Sequence, residues 1–495
     1  MSRIVCVSNR VSLPDPETGE IKAGGLAVGI KAALENHGGC IWFGWDGAIS
    51  SCAGASLPRR INKNGVTFIT ISLTEAEYEG YYKKMSNGTL WPFMHGLGDH
   101  IEENEPSYET YKKVNEMFAR RLKPYLRPDD IVWVHDYHLI PLGRCLRELG
   151  MKNRILFFNH IPVPGCSFVH SPSVPHSLRK QYRDLVNDLF YYDLTGFQSF
   201  RDFENFTGYL NYHTRTPARF STVILANGQR QARFGVFPIS IETFQLERKA
   251  KMAVSGTVVR DIRNGLGSCR MIVGAERLDY TKGIHNRIEG IAHLFELFPQ
   301  YREQLKYLQV APLSRDDVKE YKTAISRTRN AVKDIQEQFE NERWQPILYT
   351  EENIRREDLA GCFRISDIGL VTPLIDGQNL VAKEYLASQD PAHPGVLVLS
   401  KYAGAAEELG ELGTILVDPY DPEHIAVKVR RALEMPLEER ASLHQAALMY
   451  LRRHDIYHWA DKFLSVLMPS ENALAFSLPA PRMGRGTARV TWNYQ

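Results

Sequence analysis

One loop of this chain, Glu276-Arg277-Leu278-Asp279-Tyr280-Thr281-Lys282-Gly283, holds two cations five residues apart directly after a strand-like run. A guanidinium fork and an ammonium point charge in that setting suit a diphosphate, whose negative charge grows as the bond to it breaks. A second segment runs from Ser8-Asn9-Arg10 to Ala23-Gly24-Gly25. Paired glycines opening a helix present backbone N–H groups to an approaching phosphate. A third, Asp376-Gly377-Gln378-Asn379, makes a tight turn before Leu380, Val381, Ala382, Lys383 and Glu384. The helix start can meet phosphate oxygens, and Glu384 stands where it could reach ribose hydroxyls. A fourth, Trp133-Val134-His135-Asp136-Tyr137-His138, places Asp136 where sugar hydroxyls could donate to it. Each segment also has a plain structural reading: a solvated charged loop, a helix-start turn, or a cap supplied by Asp136. His135 and His138 find no carboxylate or cysteine cluster to complete a zinc site. The acidic pairs at 129–130 and 316–317 read as helix-start residues, so no metal is expected.

What must position these loops is a series of short β-branched runs alternating with longer amphipathic stretches, the pattern of a parallel sheet covered on both faces. Strands are expected at 3–8, 40–44, 67–72, 130–134, 154–158, 194–198 and 233–237, with helices at 25–36, 108–124, 138–149 and 175–189. A second series has strands near 270–275, 306–311, 346–349, 368–371, 395–398 and 413–416. Its helices fall near 284–298, 315–341, 355–364, 380–388 and 421–434. In such sheets ligands sit beyond the carboxyl ends of the strands, where all four segments fall. The charged stretch 243–268 between the two series is read as the region of a domain boundary.

At 495 residues the chain is too long for a single core, which agrees with two doubly wound units. Sixty basic residues against 58 acidic ones create no field favouring nucleic acid or membrane. No apolar run reaches the roughly 18 residues of a membrane helix, and the start lacks a signal-peptide core. Seven cysteines without CxxC spacing argue for free thiols and a cytoplasmic setting.

The four loops, taken in order, resemble the trehalose-6-phosphate synthase family, retaining glycosyltransferases of the GT-B fold. The likeness extends from Val7-Ser8-Asn9-Arg10 to about residue 466. It includes Leu90-Trp91-Pro92, Val134 to His138, His160-Ile161-Pro162, Glu276 to Gly283, Ala311 to Arg315, Asn379 to Glu384 and Ala387 to Pro391. The resemblance implies an α/β protein of two Rossmann-like domains, 1–245 for glucose 6-phosphate and 246–455 for a nucleotide-glucose, with a cleft between them. It also implies a C-terminal helix at 456–470 returning to the first domain, and a flexible tail at 471–495. By the same resemblance Arg10, Tyr82 and Arg315 would bind the acceptor phosphate, and Trp45, Trp91 and Asp136 its sugar ring. Gly24, Gly25, Arg277, Lys282 and Leu380 to Glu384 would hold the donor nucleotide and diphosphate. Ile354 and Leu359 would contact the base, and His160 and Asp376 the donor sugar. The implied reaction makes trehalose 6-phosphate with no metal and no cofactor. The partners implied are small-molecule substrates, and a homo-oligomer is left open.

The chain departs from the family at Ile375 for Arg, Gln378 for Met, Asn159 for Leu, Ser240 for Gly, and across Val163 to His170. Four rival readings stay open at this level. One is a synthase with another acceptor, such as glycerol 3-phosphate; the second is a pseudo-sugar coupling enzyme; the third is a non-catalytic sugar-phosphate sensor. The fourth is a nucleotide-sugar epimerase, which gives no reason for a second phosphate site.

Overall fold

The computed structural model of the chain describes residues 2–14, 39–51, 58–63, 65–102, 105–214, 222–227, 230–315, 318–467 and 488–490. The chain divides into two compact units, Met1–Pro238 with Tyr457–Gln495, and Ile239–Ile456. Gly24, Gly25 and the helix expected at 25–36 lie outside the described residues.

In the first unit the strands are β1 (Ile4–Arg10), β2 (Cys40–Ser50), β3 (Arg59–Lys63), β4 (Val66–Thr74), β5 (Ile131–His135), β6 (Arg154–Phe158), β7 (Leu194–Phe197), β8 (Thr222–Asn227) and β9 (Arg230–Val236). They form one sheet with order β8-β9-β7-β6-β5-β1-β2-β4-β3, parallel except for the β8–β9 and β3–β4 pairs. Ala488–Val490 of the stretch expected to be a flexible tail adds a parallel strand beside β8. The central strands are continuous apolar runs because they are buried on both faces; every residue of β5 is buried. β3 is an edge strand whose two exposed arginines hid it from the apolar pattern.

The second unit has strands β10 (Arg270–Ala275), β11 (Leu305–Val310), β12 (Ile347–Thr350), β13 (Ile368–Val371), β14 (Val396–Ser400) and β15 (Ile415–Val417). They form a wholly parallel sheet in the order β12-β11-β10-β13-β14-β15. One apolar cluster covers each face. Ile288, Ile291 and Phe295 pack on one side, and Val259, Phe363 and Tyr385 on the other.

Three expectations need correction. The stretch 243–268, read as the region of the domain boundary, lies within the second unit, which begins at Ile239: it forms helices Thr243–Ala253 and Thr257–Leu266, whose Leu246, Ala250 and Val259 enter that unit's core. The helix expected from 138 begins only at Leu142, after a tight turn over Tyr137–Leu139, because Pro141 stands at its cap. Asp130 does not start a helix; its carboxylate binds the Arg3 guanidinium at 2.6 Å and the Arg127 N–H at 2.7 Å, in a turn ahead of β5. Asp316 and Asp317 lie outside the described residues.

Candidate active site

In each unit the site residues sit where the strand order reverses. β1 lies between β2 and β5, and Ser8 is the register partner of His135, so Arg10 and Asp136 emerge from adjacent strand ends. That is the crevice in which open α/β sheets bind ligands.

Arg10 is exposed, and its guanidinium lies 5.8 Å from the centre of the Trp45 ring. Gly47, with φ of +88°, turns the chain beneath it; a Cβ there would come within 2.6 Å of the Arg10 guanidinium. Trp45 meets Tyr82 edge to face at 5.5 Å, and Tyr82 stacks on His138 at 6.0 Å. His138 touches Tyr137, which in turn lies 5.8 Å from Trp91. Arg10, Trp45, Tyr82, Trp91 and Asp136 thus join one continuous cationic and aromatic array. Tyr82 rides on Tyr78–Leu90, a helix wound with i→i+5 hydrogen bonds, a rare form that concentrates at functional sites. The sequence reading missed this helix.

Asp136 adopts φ of 76°, a costly conformation for a residue with a side chain. Its Oδ1 accepts from the Tyr137 N–H at 3.0 Å and the His160 N–H at 3.2 Å, which hold the strained turn. Behind it, Gln198 donates to His160 Nδ1 at 3.1 Å, and His160 Nε2 lies 3.0 Å from His135 Nδ1. With Nδ1 accepting, His160 carries its proton on Nε2 and donates to His135. Burial pushes His160 down to about 3, and burial together with neighbouring His160 lowers His135. His160 was expected to touch the donor sugar. Both its ring nitrogens are hydrogen-bonded within the protein and the ring is neutral, while its backbone N–H holds the Asp136 turn. His135 and Gln198 went unrecognised as its supports, because nothing in their spacing marks them.

In the second unit β10 lies between β11 and β13, and the loops after these three strands converge. Asp279 is buried and 2% exposed. Its carboxylate has Arg277 at 3.9 Å, Arg315 at 4.0 Å, and the Tyr321 hydroxyl donating at 3.0 Å. Burial alone would raise its pKa, but Arg277, Arg315 and Lys282 outweigh burial and hold it below the ordinary aspartate value. Arg315, expected to bind the acceptor phosphate, stands beside Asp279 in the same cluster as Arg277 and Lys282. Three cations facing two carboxylates, Asp279 and the Asp376 that pairs with Lys282, leave an excess of positive charge. Arg277 is its most accessible member, with 47% of its side chain exposed.

Lys282 forms a short ion pair with Asp376. Asn379 donates to Asp376 at 3.1 Å and to Glu276 at 2.6 Å, and Glu276 pairs closely with the fully buried Arg287. Gly283, at φ of +62°, lets the Lys282 loop turn against the Thr372 carbonyl, where a Cβ would overlap. Asn379, in the left-handed region at φ of 67°, caps helix Leu380–Ser388. Leu380 and Val381 are half-buried in its first turn, and Ala382 is buried with its N–H held by the Asn379 cap at 3.4 Å. Glu384 is held by the Arg356 guanidinium at 2.8 Å. Ile354 lines a 560 Å³ recess with Leu348 and Thr350, whereas Leu359 packs on the core beside it.

Lys383 was expected among the donor contacts, but its side chain is fully buried. The ammonium donates to the Ile239 carbonyl at 2.8 Å and pairs with Glu408 at 2.7 Å. Glu408 also binds the Gln378 amide and the Tyr450 hydroxyl. The Lys383 side chain therefore cannot meet a ligand; it braces the loop from within. Among the described residues, no group of three or more His, Cys, Asp or Glu could hold a metal ion, and no helix is long and apolar enough to cross a membrane.

Residues 3–468 match the family model for glycosyltransferase family 20. The chain belongs to that family. This glycosyltransferase is 40% identical over 472 residues to the trehalose-6-phosphate synthase of Sinorhizobium fredii, covering 95% of this chain and 99% of the relative. Among solved structures it resembles an alpha,alpha-trehalose-phosphate synthase (UDP-forming) of Burkholderia xenovorans in complex with glucose-6-phosphate. The TM-score is 0.88 at 38% identity, covering 94% of this chain and 100% of that one. It also resembles the Escherichia coli enzyme bound with UDP-2-fluoro glucose, with a TM-score of 0.86 at 38% identity, covering 94% and 99%. The glycosyltransferase reading and the GT-B fold expected from the sequence agree with these findings.

Proposed function

We propose that this family 20 glycosyltransferase transfers glucose from UDP-glucose to glucose 6-phosphate with retention, giving trehalose 6-phosphate and UDP. The observation that carries the reading is the gathering of Arg277, Lys282 and Arg315 about buried Asp279. A preformed positive cluster stabilises a departing diphosphate at little reorganisation cost, the task a divalent ion performs in other nucleotide-sugar enzymes. The bond from the donor's anomeric carbon to the β-phosphate oxygen breaks. The acceptor's anomeric hydroxyl bonds to that carbon on the same face, and its proton passes to the departing phosphate. Catalysis is then positioning and electrostatics, without metal or cofactor.

The first unit would take the acceptor. Arg10 supplies charge for its phosphate, the Trp45–Tyr82–Trp91 array its walls, and Asp136 an acceptor for its hydroxyls. The second would take the donor, with Asp376 and the first turn of Leu380–Ser388 about its sugar and phosphates. Both substrates belong to the cytoplasm, which is the setting proposed. The names of the relatives support glucose 6-phosphate over glycerol 3-phosphate or a pseudo-sugar, and the intact cationic cluster favours catalysis over sensing.

The test is to incubate the protein with glucose 6-phosphate and, separately, UDP-, ADP- or GDP-glucose, then identify the products. Trehalose 6-phosphate and UDP are expected. Turnover with glycerol 3-phosphate alone, or none with any donor, would overturn the reading.

A further inference from the structure

We propose that the second unit carries a separate site for a phosphate-bearing small molecule, at the amino-terminal ends of β13 and β14. A recess of 390 Å³ opens there, lined by Arg263, Arg364 and Arg440 together with His393, Asp367 and Asp390. Its size lies within the range of about 300–1,000 Å³ usual for small-ligand pockets. Asp367 immediately precedes β13, and Gly395, also in the lining, precedes β14. The Arg277, Lys282 and Asp376 loops all follow carboxyl ends, so the recess is not part of the substrate crevice.

The charges of the lining do not cancel within the protein. Asp367 is committed elsewhere: it binds Arg270 at 3.0 Å and the Met271 N–H at 3.0 Å. Asp390 pairs with Arg364 at 3.3 Å, and Arg364 also donates to the Gln389 carbonyl at 2.8 Å. That leaves Arg440 and Arg263. Arg440 donates through Nη1 to the Pro394 carbonyl at 2.9 Å, while its Nε is buried without a partner. Among the described residues, nothing engages the Arg263 guanidinium or the His393 ring. A buried guanidinium N–H left unmatched is costly unless something fills the space before it. The Arg263 guanidinium and the unmatched Nε of Arg440 on one recess match the planar, forked recognition of phosphate oxygens. The half-buried Val254 and Ile365 beside them leave room for an organic group on the phosphate.

The experiment is calorimetric titration of the whole chain with inorganic phosphate, then glucose 6-phosphate, at low ionic strength, where partly exposed charges are least screened. Wild type, Arg263→Gln, Arg440→Gln and the double variant are compared. Each single change should weaken one class of phosphate binding about tenfold, and the pair should abolish it. In phosphate-free buffer, kcat and both KM values should stay within about twofold of wild type. Glucose 6-phosphate should bind this class as well as the catalytic one. If it does not, while inorganic phosphate does, the recess takes the bare ion and the organic part of the proposal fails. Superimposable isotherms for wild type and Arg263→Gln would refute the site. That variant changes an exposed helical position with no partner among the described residues, so its folding is not at risk even where Arg440→Gln misfolds. Phosphate binding that is lost only on changing Arg10 or Arg277 would likewise refute it.

Discussion

At the residue scale, Asp279 is a buried carboxylate with Arg277 3.9 Å and Arg315 4.0 Å away, and His160 is a neutral imidazole held between Gln198 and His135. Arg10, Arg277, Lys282 and Asp136 stand out because cations and carboxylates at strand ends have few structural uses. Asp279 carries no such mark in the sequence, yet it is the buried centre about which three cations gather. His160 shows the converse, since its type suggests chemistry while its surroundings keep it neutral. This has a measurable consequence. The ordinary imidazole value is 6.5 and burial takes His160 to about 3. Between those limits the unfolded chain binds a proton that the folded chain refuses, so stability falls as pH drops below about 6.5. From pH 7 to pH 5 this one group should cost the first unit about 2 kcal/mol, and His135, shifted in the same direction, adds to the slope. Urea unfolding at the two pH values checks it, with His160→Gln as the control whose slope should be shallower by that amount. An unchanged slope would mean that the histidine is charged in the fold.

At the element scale, what could be read depended on how each element obtains its stability. β5, β10 and β14 were found almost to the residue, because a strand buried on both faces must be a continuous apolar run. The wide helix Tyr78–Leu90 was not, since Gly80, Asn87 and Gly88 speak against any helix. It is fixed by tertiary bonds instead: Tyr81 donates to Asn9 at 2.8 Å and Tyr137 to Asn87 at 3.0 Å. The donor-side helix Leu380–Ser388 was legible in extent but not in its brace. Lys383, Glu408 and Gln378 join it to helix Ala405–Leu409. Removing one partner of a buried ion pair strands the other, at a cost of about 3–5 kcal/mol. Glu408→Ala should therefore lower the urea midpoint of the second unit by a corresponding amount, and Lys383→Met added to it should recover part of the loss. A Glu408→Ala protein as stable as wild type would show that the Lys383 ammonium is not buried.

At the scale of the whole molecule, the two-unit plan follows from length and from two series of strands, whereas the return of the C-terminal helix to the first unit is implied by the family resemblance and not by the strand pattern. The first unit is discontinuous, completed by a segment that begins at Tyr457 after the second unit has ended. Trp459 and Phe463, one helical turn apart, face the same way and pack on the site-bearing strands. Phe463 lies 5.4 Å from Trp133 and 5.1 Å from Phe158, while Trp459 lies 5.2 Å from Trp133 and donates to the Phe237 carbonyl at 3.1 Å. Gly196 in β7 makes room for this: a Cβ there would come within 2.7 Å of the Phe463 ring. β5 and β6 end in the Asp136 and His160 turns, so residues more than 200 positions away in sequence support the floor of the candidate acceptor site. Phe463 is fully buried, and Phe463→Ala should cost about 3–5 kcal/mol. The loss should appear in the first unit: urea unfolding of that unit shifts, and KM for glucose 6-phosphate rises more than KM for the donor. Equal effects on both substrates, or a shift confined to the second unit, would show that the C-terminal helix does not serve the acceptor side.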